Sequence, residues 1–192
     1  MLAARDISAA SSPTRKAGRG LGHSGRKLRA ARLCMIFLGC LPAVLCFSAA
    51  PSIAASNKVR VTALSDVSFG TVANLSIDSI ANQSVCIFAD TVTNGYNVTA
   101  SGAGPGGSFV LSSGAATLAY DVQWSSSPGQ STGATLSANV PLTGQVSSAT
   151  QQSCSSGPAS SASLIVVLRS AALSSAAAGT YSGNLTLVIG AE

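Results

Sequence analysis

"AAAGTYSGNLTLVIGAE", residues 176–192, carries an alternating apolar pattern behind a glycine. From Tyr181 onward one set of alternate residues is Tyr181, Gly183, Leu185, Leu187 and Ile189. The other is Ser182, Asn184, Thr186, Val188 and Gly190. Successive side chains of a strand point to opposite faces, so this period of two marks a strand with one buried face. Gly179 is a turn signal before it, and Gly190 loosens its exit. The plain expectation is the last strand of a β-sandwich. The stretch also raises a question: what covers an apolar strand with so little sequence after it?

Similar segments recur upstream, separated by turn-forming residues. "KVRVTAL" (58–64) alternates Val59, Val61 and Ala63, and "DVSFGTV" (66–72) carries Val67 and Phe69 before Gly70. "SVCIFA" (84–89) is a compact run from Val85 to Phe88, and "GYNVTASG" (95–102) alternates Tyr96, Val98 and Ala100. "SFVLSSG" (108–114) holds Phe109 to Leu111. "TLAYDVQW" (117–124) alternates Leu118, Tyr120, Val122 and Trp124. "ATLSANVPLTGQV" (134–146) is broken by Pro141, which cannot donate to a ladder. "SLIVVLRS" (163–170) contains five consecutive apolar residues, Leu164 to Leu168, suited to a central strand buried on both faces. Gly, Ser, Asn and Pro fill the gaps, and only "LRSAALSSAAAG" (168–179) hints at a short helix. Short strands at roughly ten-residue spacing predict an all-β sandwich or barrel.

The charges are unevenly placed. Eight of the 11 Lys and Arg lie in residues 1–32, and only Lys58, Arg60 and Arg169 follow. Against those three stand Asp66, Asp78, Asp90, Asp121 and Glu192, so the folded part is slightly acidic. A nucleic-acid binder needs its basic residues on the domain itself, and a nucleic-acid partner is therefore not expected.

Leu33–Phe47, "LCMIFLGCLPAVLCF", is an apolar run behind that basic stretch and ahead of "SAAPSIAAS". Basic region, short apolar region and small residues form the layout of a secretory signal peptide. Ser52-Ile53-Ala54 is the best small-x-small site, so cleavage is expected after Ala54. This divides the chain into a 1–54 leader with a long basic region and a 55–192 domain. The run is short for a membrane span of about 20 residues. A lipoprotein box at Gly39-Cys40 and an uncleaved anchor are the other readings of the same stretch. Cys34, Cys40 and Cys46 leave with the leader, and Cys86 and Cys154 remain. An even number in an exported chain reads as a disulfide, the alternative being two buried thiols. Bridging them closes a loop of about 69 residues, worth about 4 kcal/mol in the chain-entropy model.

The domain has little chemistry to offer. The single histidine, His23, lies in the leader, so Ser-His-Asp and Cys-His catalysis are excluded after cleavage. With no histidine and no paired Cys-x-x-Cys, neither a metal site nor a cofactor is expected. Asp66, Asp78, Asp90 and Asp121 sit beside turns or strand ends, where Asp usually serves the backbone. "GAGPGG" (102–107) lacks the strand–loop–helix setting and the Lys of a phosphate loop, and reads as a hairpin loop. Tyr120 and Trp124 read as same-face core residues, with a carbohydrate platform as the alternative. No catalytic residue and no small-molecule substrate is expected. Sequons occur at Asn74, Asn82, Asn97 and Asn184 and matter only in a eukaryotic secretory pathway.

"DVSFGTV", "SVCIFADTVTNGYNVTASG", "TLAYDVQW" and a closing "AGTYSGNLTLVIG", in that order, resemble the spore coat protein U domain family, which includes archaic chaperone–usher pilins. The likeness spans about residues 64–190. It implies an immunoglobulin-like sandwich lacking its last strand. A periplasmic chaperone lends a strand, an outer-membrane usher handles the subunit, and a neighbouring pilus subunit then supplies the replacement by strand addition. On that picture Tyr181, Leu185, Leu187 and Ile189 line the acceptor groove. The protein becomes a fimbrial subunit, periplasmic and then at the cell surface or secreted, serving adhesion or biofilm formation. "NKVRVTA" (57–63) alternates correctly but is short to be both a donor and a first strand. That leaves open an acceptor that gives no strand and a self-complete relative. The competing reading is a free secreted sandwich that binds glycan or protein through loops 101–108, 125–133 and 150–163.

Overall fold

The computed structural model describes residues 2–3, 7–11 and 57–192. The expected signal run Leu33–Phe47, its cleavage residue Ala54 and the three leader cysteines lie outside the described residues. The strands are β1 (Leu2–Ala3), β2 (Ile7–Ser11), β3 (Lys58–Thr62), β4 (Ser68–Gly70), β5 (Ser79–Asp90), β6 (Gly95–Gly102), β7 (Val110–Ser113), β8 (Ala116–Ala119), β9 (Asp121–Ser125), β10 (Ala134–Thr135), β11 (Leu142–Val146), β12 (Ala162–Leu168) and β13 (Leu185–Ala191). One short helix, α1 (Ser170–Ser175), follows β12.

Two sheets carry the fold, as the alternation predicts. One has the order β10-β9-β12-β5-β3 and the other β11-β6-β13-β2. All pairings within them are antiparallel except β2 on β13. Taking β3, β5, β6, β9, β12 and β13 as strands A to F, the first sheet reads D-E-B-A and the second pairs C with F. That is the arrangement of a constant-type immunoglobulin sandwich. The place of strand G, beside F, is taken by β2.

The core lies between the sheets. Val85, Ile87, Val122, Trp124, Leu164, Val166 and Leu168 of the first sheet meet Tyr96, Val98, Ala100, Leu185, Leu187 and Ile189 of the second. Every residue of β12 is buried, as its unbroken apolar run predicts, because β5 and β9 flank it and loops cover its outer face.

Three boundaries differ from the sequence reading. β5 is far longer than Val85–Phe88: it starts at Ser79. Its first half is polar and carries no apolar period. The antiparallel ladder from Ser79↔Leu168 to Val85↔Ala162 holds it in place. The "TLAYDVQW" stretch is two strands, not one. β8 ends at Ala119 and β9 starts at Asp121, and between them the N–H of Tyr120 donates to Phe109 O at 3.0 Å. The same-face burial of Leu118, Tyr120, Val122 and Trp124 survives that break. Finally, the last strand begins at Leu185 rather than Tyr181.

Beyond Val85, β12 no longer accompanies β5. There the N–H of Ile87 donates to Ser161 Oγ at 2.8 Å, and the hydroxyls of Ser161 and Ser147 both donate to Ile87 O. Two buried serines thus satisfy the backbone groups that a strand would otherwise pair.

Candidate functional site

β13 is the element on which the sequence-predicted site depends. Leu185, Leu187 and Ile189 are buried in the core and alternate with Thr186 and Val188, which face outward. One edge of β13 is paired with β6 along its whole length, from Leu185↔Gly102 to Ala191↔Tyr96. The other edge pairs with no strand of residues 57–192. It is paired, in parallel, with Ile7–Ser11: Leu185↔Ile7, Leu187↔Ala9 and Ile189↔Ser11. Among the described residues the expected bare furrow is therefore absent, because Ile7–Ser11 closes that edge of the second sheet.

The first strand does not act as a donor here. Lys58–Thr62 is spent on the ladder with Asp90–Cys86 of β5, at the outer edge of the first sheet. Its Lys58 and Arg60 are exposed charges of the kind that discourage further pairing at an edge.

Tyr181 is placed differently from the other three predicted groove residues. It is buried, but it lies before the strand, in a bridge where Ser112 N donates to Ser182 O at 2.8 Å and Ser182 N donates to Ser112 O at 3.0 Å. A Cβ at Gly183 would lie 2.9 Å from Val110 O, so glycine is what lets the backbone between the bridge and β13 pass this close to β7. The Tyr181 hydroxyl donates to Ala177 O at 2.9 Å. Its ring lines a cleft of about 250 Å3 at the approach to β13.

Cys86 and Cys154 form a disulfide, with Cα atoms 6.0 Å apart. Cys86 projects from the outer face of the first sheet, and the bridge holds the 147–160 segment over it with Ala149 and Phe88 packed alongside.

The loops of the binding-module reading are tied to their own scaffold. Loop 125–133 lies across the first sheet. Gln130 N donates to Ser163 Oγ at 3.0 Å, Ser163 Oγ to Ser127 O at 2.9 Å, Gly129 N to Ser84 Oγ at 2.9 Å and Asn82 Nδ2 to Gln130 O at 2.8 Å. Loop 101–108 is pinned by Asn139 Nδ2 donating to Gly106 O at 2.7 Å. Loop 150–163 carries the disulfide. Trp124 is 1% exposed, so a stacking platform at that residue is ruled out and the core reading holds. Its indole N–H donates to Tyr96 Oη at 3.1 Å. Burial pushes the phenols of Tyr96 and Tyr120 up to about 12, the Trp124 hydrogen bond opposing it slightly at Tyr96.

Sequence reasoning missed Arg169. Its guanidinium joins Asp121 (Nε–Oδ2 2.6 Å) to Asp78 (Nη1–Oδ2 2.9 Å), while Asp78 Oδ1 accepts from Ser170 N at 2.8 Å. Those contacts, the Ser170 backbone bond foremost and Arg169 next, hold the Asp78 carboxyl below its ordinary value. One cation so far from the other two in a charge-poor domain was the available signal. Among the described residues no cluster of His, Cys, Asp or Glu could hold a metal ion, and no helix is long and apolar enough to cross a membrane. Neither a protein-family model nor a curated protein matches the chain.

Proposed function

We propose that the 55–192 domain is an exported structural subunit of a surface pilus or coat, non-catalytic, assembled by donation of a β-strand to the outer edge of β13. The observation that carries this reading is the pairing of that edge with Ile7–Ser11 and with no part of the domain itself. Ile7–Ser11 precedes the apolar run Leu33–Phe47. In an exported chain the residues before such a run stay on the cytoplasmic side or leave with the leader after cleavage at Ala54. Either way they are parted from β13, and the edge needs another occupant.

The energetics make that need strong. Without a neighbour, Leu185–Ile189 presents a row of unpaired N–H and C=O groups beside an opened core, which is an aggregation hazard. A strand that buries three or four aliphatic side chains contributes about 5–10 kcal/mol. That is comparable to the whole stability of a domain, about 5–15 kcal/mol. Transient cover by a periplasmic chaperone, delivery through an outer-membrane usher and lasting cover by a neighbouring subunit form a consistent sequence of occupants. The product is a surface fibre or coat suited to adhesion or biofilm formation. A free glycan-binding sandwich has less support, since the aromatic residue it would use is buried.

The test is expression of residues 55–192 in the periplasm with and without a co-expressed pilus chaperone. The expected result is soluble domain only with the chaperone or with an added strand-forming peptide. A stable monomer indifferent to both overturns the proposal.

A further inference from the structure

The segment from Ser147 to Ser161 leaves β5 and returns to the same residue. At its start Ser147 N donates to Asn94 O at 2.9 Å, and the Ser147 hydroxyl donates to Ile87 O. At its end Ser161 N donates to Val85 O at 2.9 Å, and the Ser161 hydroxyl donates to Ile87 O at 2.8 Å. Two ends bonded to one carbonyl make a compact surface loop of the Ω type, with its neck closed by hydrogen bonds.

The body of the loop is held differently. Of residues 148–160 only Ala149 and Cys154 are buried. Its polar bonds are internal: Thr150 Oγ1 donates to Ser156 O at 3.1 Å, Ser155 Oγ to Gln151 Oε1 at 3.2 Å and Cys154 N to Gln151 O at 3.2 Å. Among the described residues its one hydrogen bond to the sandwich outside 147–161 comes from Arg60 Nη1 to Gln152 Oε1, at 3.5 Å, too long to hold much. The remaining tie is covalent. Cys154, in the middle of the loop, is bonded to Cys86, the neighbour of Ile87, and the pair packs with Ala149 against Phe88. Cys154 itself has φ +52°, a left-handed backbone that costs a residue other than glycine free energy.

We propose that residues 148–160 form a flap latched by oxidation. Reduction of Cys86–Cys154 frees the flap as a unit, uncovers Phe88 and lets Cys154 leave its left-handed backbone. The neck at Ile87 and the sandwich stay in place. The step needs a thiol reductant. Its thiolate attacks one bridge sulfur, the S–S bond breaks as a mixed disulfide forms, and a second thiol resolves that into the reductant's disulfide and two protein thiols. The bridge also restricts the unfolded chain, so its loss lowers overall stability without moving any other native residue. The consequence is a marker of oxidation. An exported chain not yet oxidised carries an open polar segment, the preferred place for proteolytic nicking, and an oxidised one does not. The inference stands apart from the strand-acceptor reading of β13.

The test compares the exported protein as isolated before and after treatment with dithiothreitol, with the double variant Cys86→Ala, Cys154→Ala as a control free of reductant. Backbone nitrogen relaxation is expected to show the heteronuclear NOE falling within 148–160 on reduction and holding in β5, β12 and β13. Brief digestion with a broad-specificity protease should cut first within 148–160, about tenfold faster or more than in the oxidised protein. Fluorescence of the buried Trp124 should keep its emission maximum throughout. A loop equally rigid and equally resistant in both forms overturns the latch. Loosening that spreads through β5 and β12, with cuts scattered along the domain, overturns the flap, because the bridge then holds the sandwich itself. Either failure leaves the reading of β13 untouched.

Discussion

The indole N–H of Trp124 donates to the phenol oxygen of Tyr96 at 3.1 Å, across the interface between the two sheets, with the rings edge to face. β9 and β6 are thereby joined at the centre of the core by a polar bond that no water reaches. Tyr96→Phe keeps the ring but removes the acceptor, leaving a buried donor unpaired. A loss of about 1–3 kcal/mol is expected, read as a lower midpoint in urea denaturation without a change in slope. An unchanged midpoint would mean that the indole finds another acceptor.

Alkaline stability should report the same two-sheet core. The phenols of Tyr96 and Tyr120 ionise at about 12 in the folded protein, above the ordinary value of 10.0. A raised folded value means that the stabilisation is complete below pH 10 and is lost as pH rises toward about 12. Ultraviolet titration should show both phenolates appearing late, together with unfolding. Early, independent ionisation of both would contradict their burial.

At the acid end the sign reverses. Asp78 is held below its ordinary 3.8, first by the Ser170 N–H and then by Arg169. A depressed folded value gives stability that is present above pH 3.8 and declines as pH falls through the lower value. Asp78→Asn should therefore differ from wild type at neutral pH and converge on it in acid, and added salt should narrow the neutral gap because the cluster is exposed. A gap that is constant with pH would assign the effect to packing alone.

The disulfide closes a long loop, and its loss should be felt globally. The double variant Cys86→Ala, Cys154→Ala is expected to lose about 4 kcal/mol of folding stability. Calorimetry of the double variant against the oxidised protein measures it. No shift would mean that Phe88 and the two serines on Ile87 hold that end of β5 by themselves.

Ser163 tests the loop over the first sheet. Ser163→Ala takes away the acceptor of the Gln130 N–H, and hydrogen exchange at Gln130 should accelerate about tenfold or more, consistent with a local loss of about 1–3 kcal/mol. Exchange unchanged at Gln130 would show that Asn82 and Ser84 suffice to hold the loop.

Local patterning made most of the core legible. Period-two alternation placed Leu185, Leu187 and Ile189 on one buried face and joined Trp124 to Tyr120 in the interior, and the unbroken apolar run Leu164–Leu168 marked a central strand. Those assignments depend on whether one or both sides of a strand are apolar, and the chain encodes that in neighbouring positions. The pairing of Cys86 with Cys154 followed from parity and compartment rather than from geometry. What escaped depends on partners distant in sequence. The polar half of β5 is a strand because β12 pairs with it across 84↔163 and its neighbours. Tyr181 falls outside β13, beside a bridge that Ser182 makes with Ser112 of β7. Arg169 gathers aspartates from two other segments. The outer edge of β13 is left to Ile7–Ser11 by the order of the whole sheet. Strand direction and strand neighbour are settled by which backbone edges remain after the two sheets pack, and no local period carries that information.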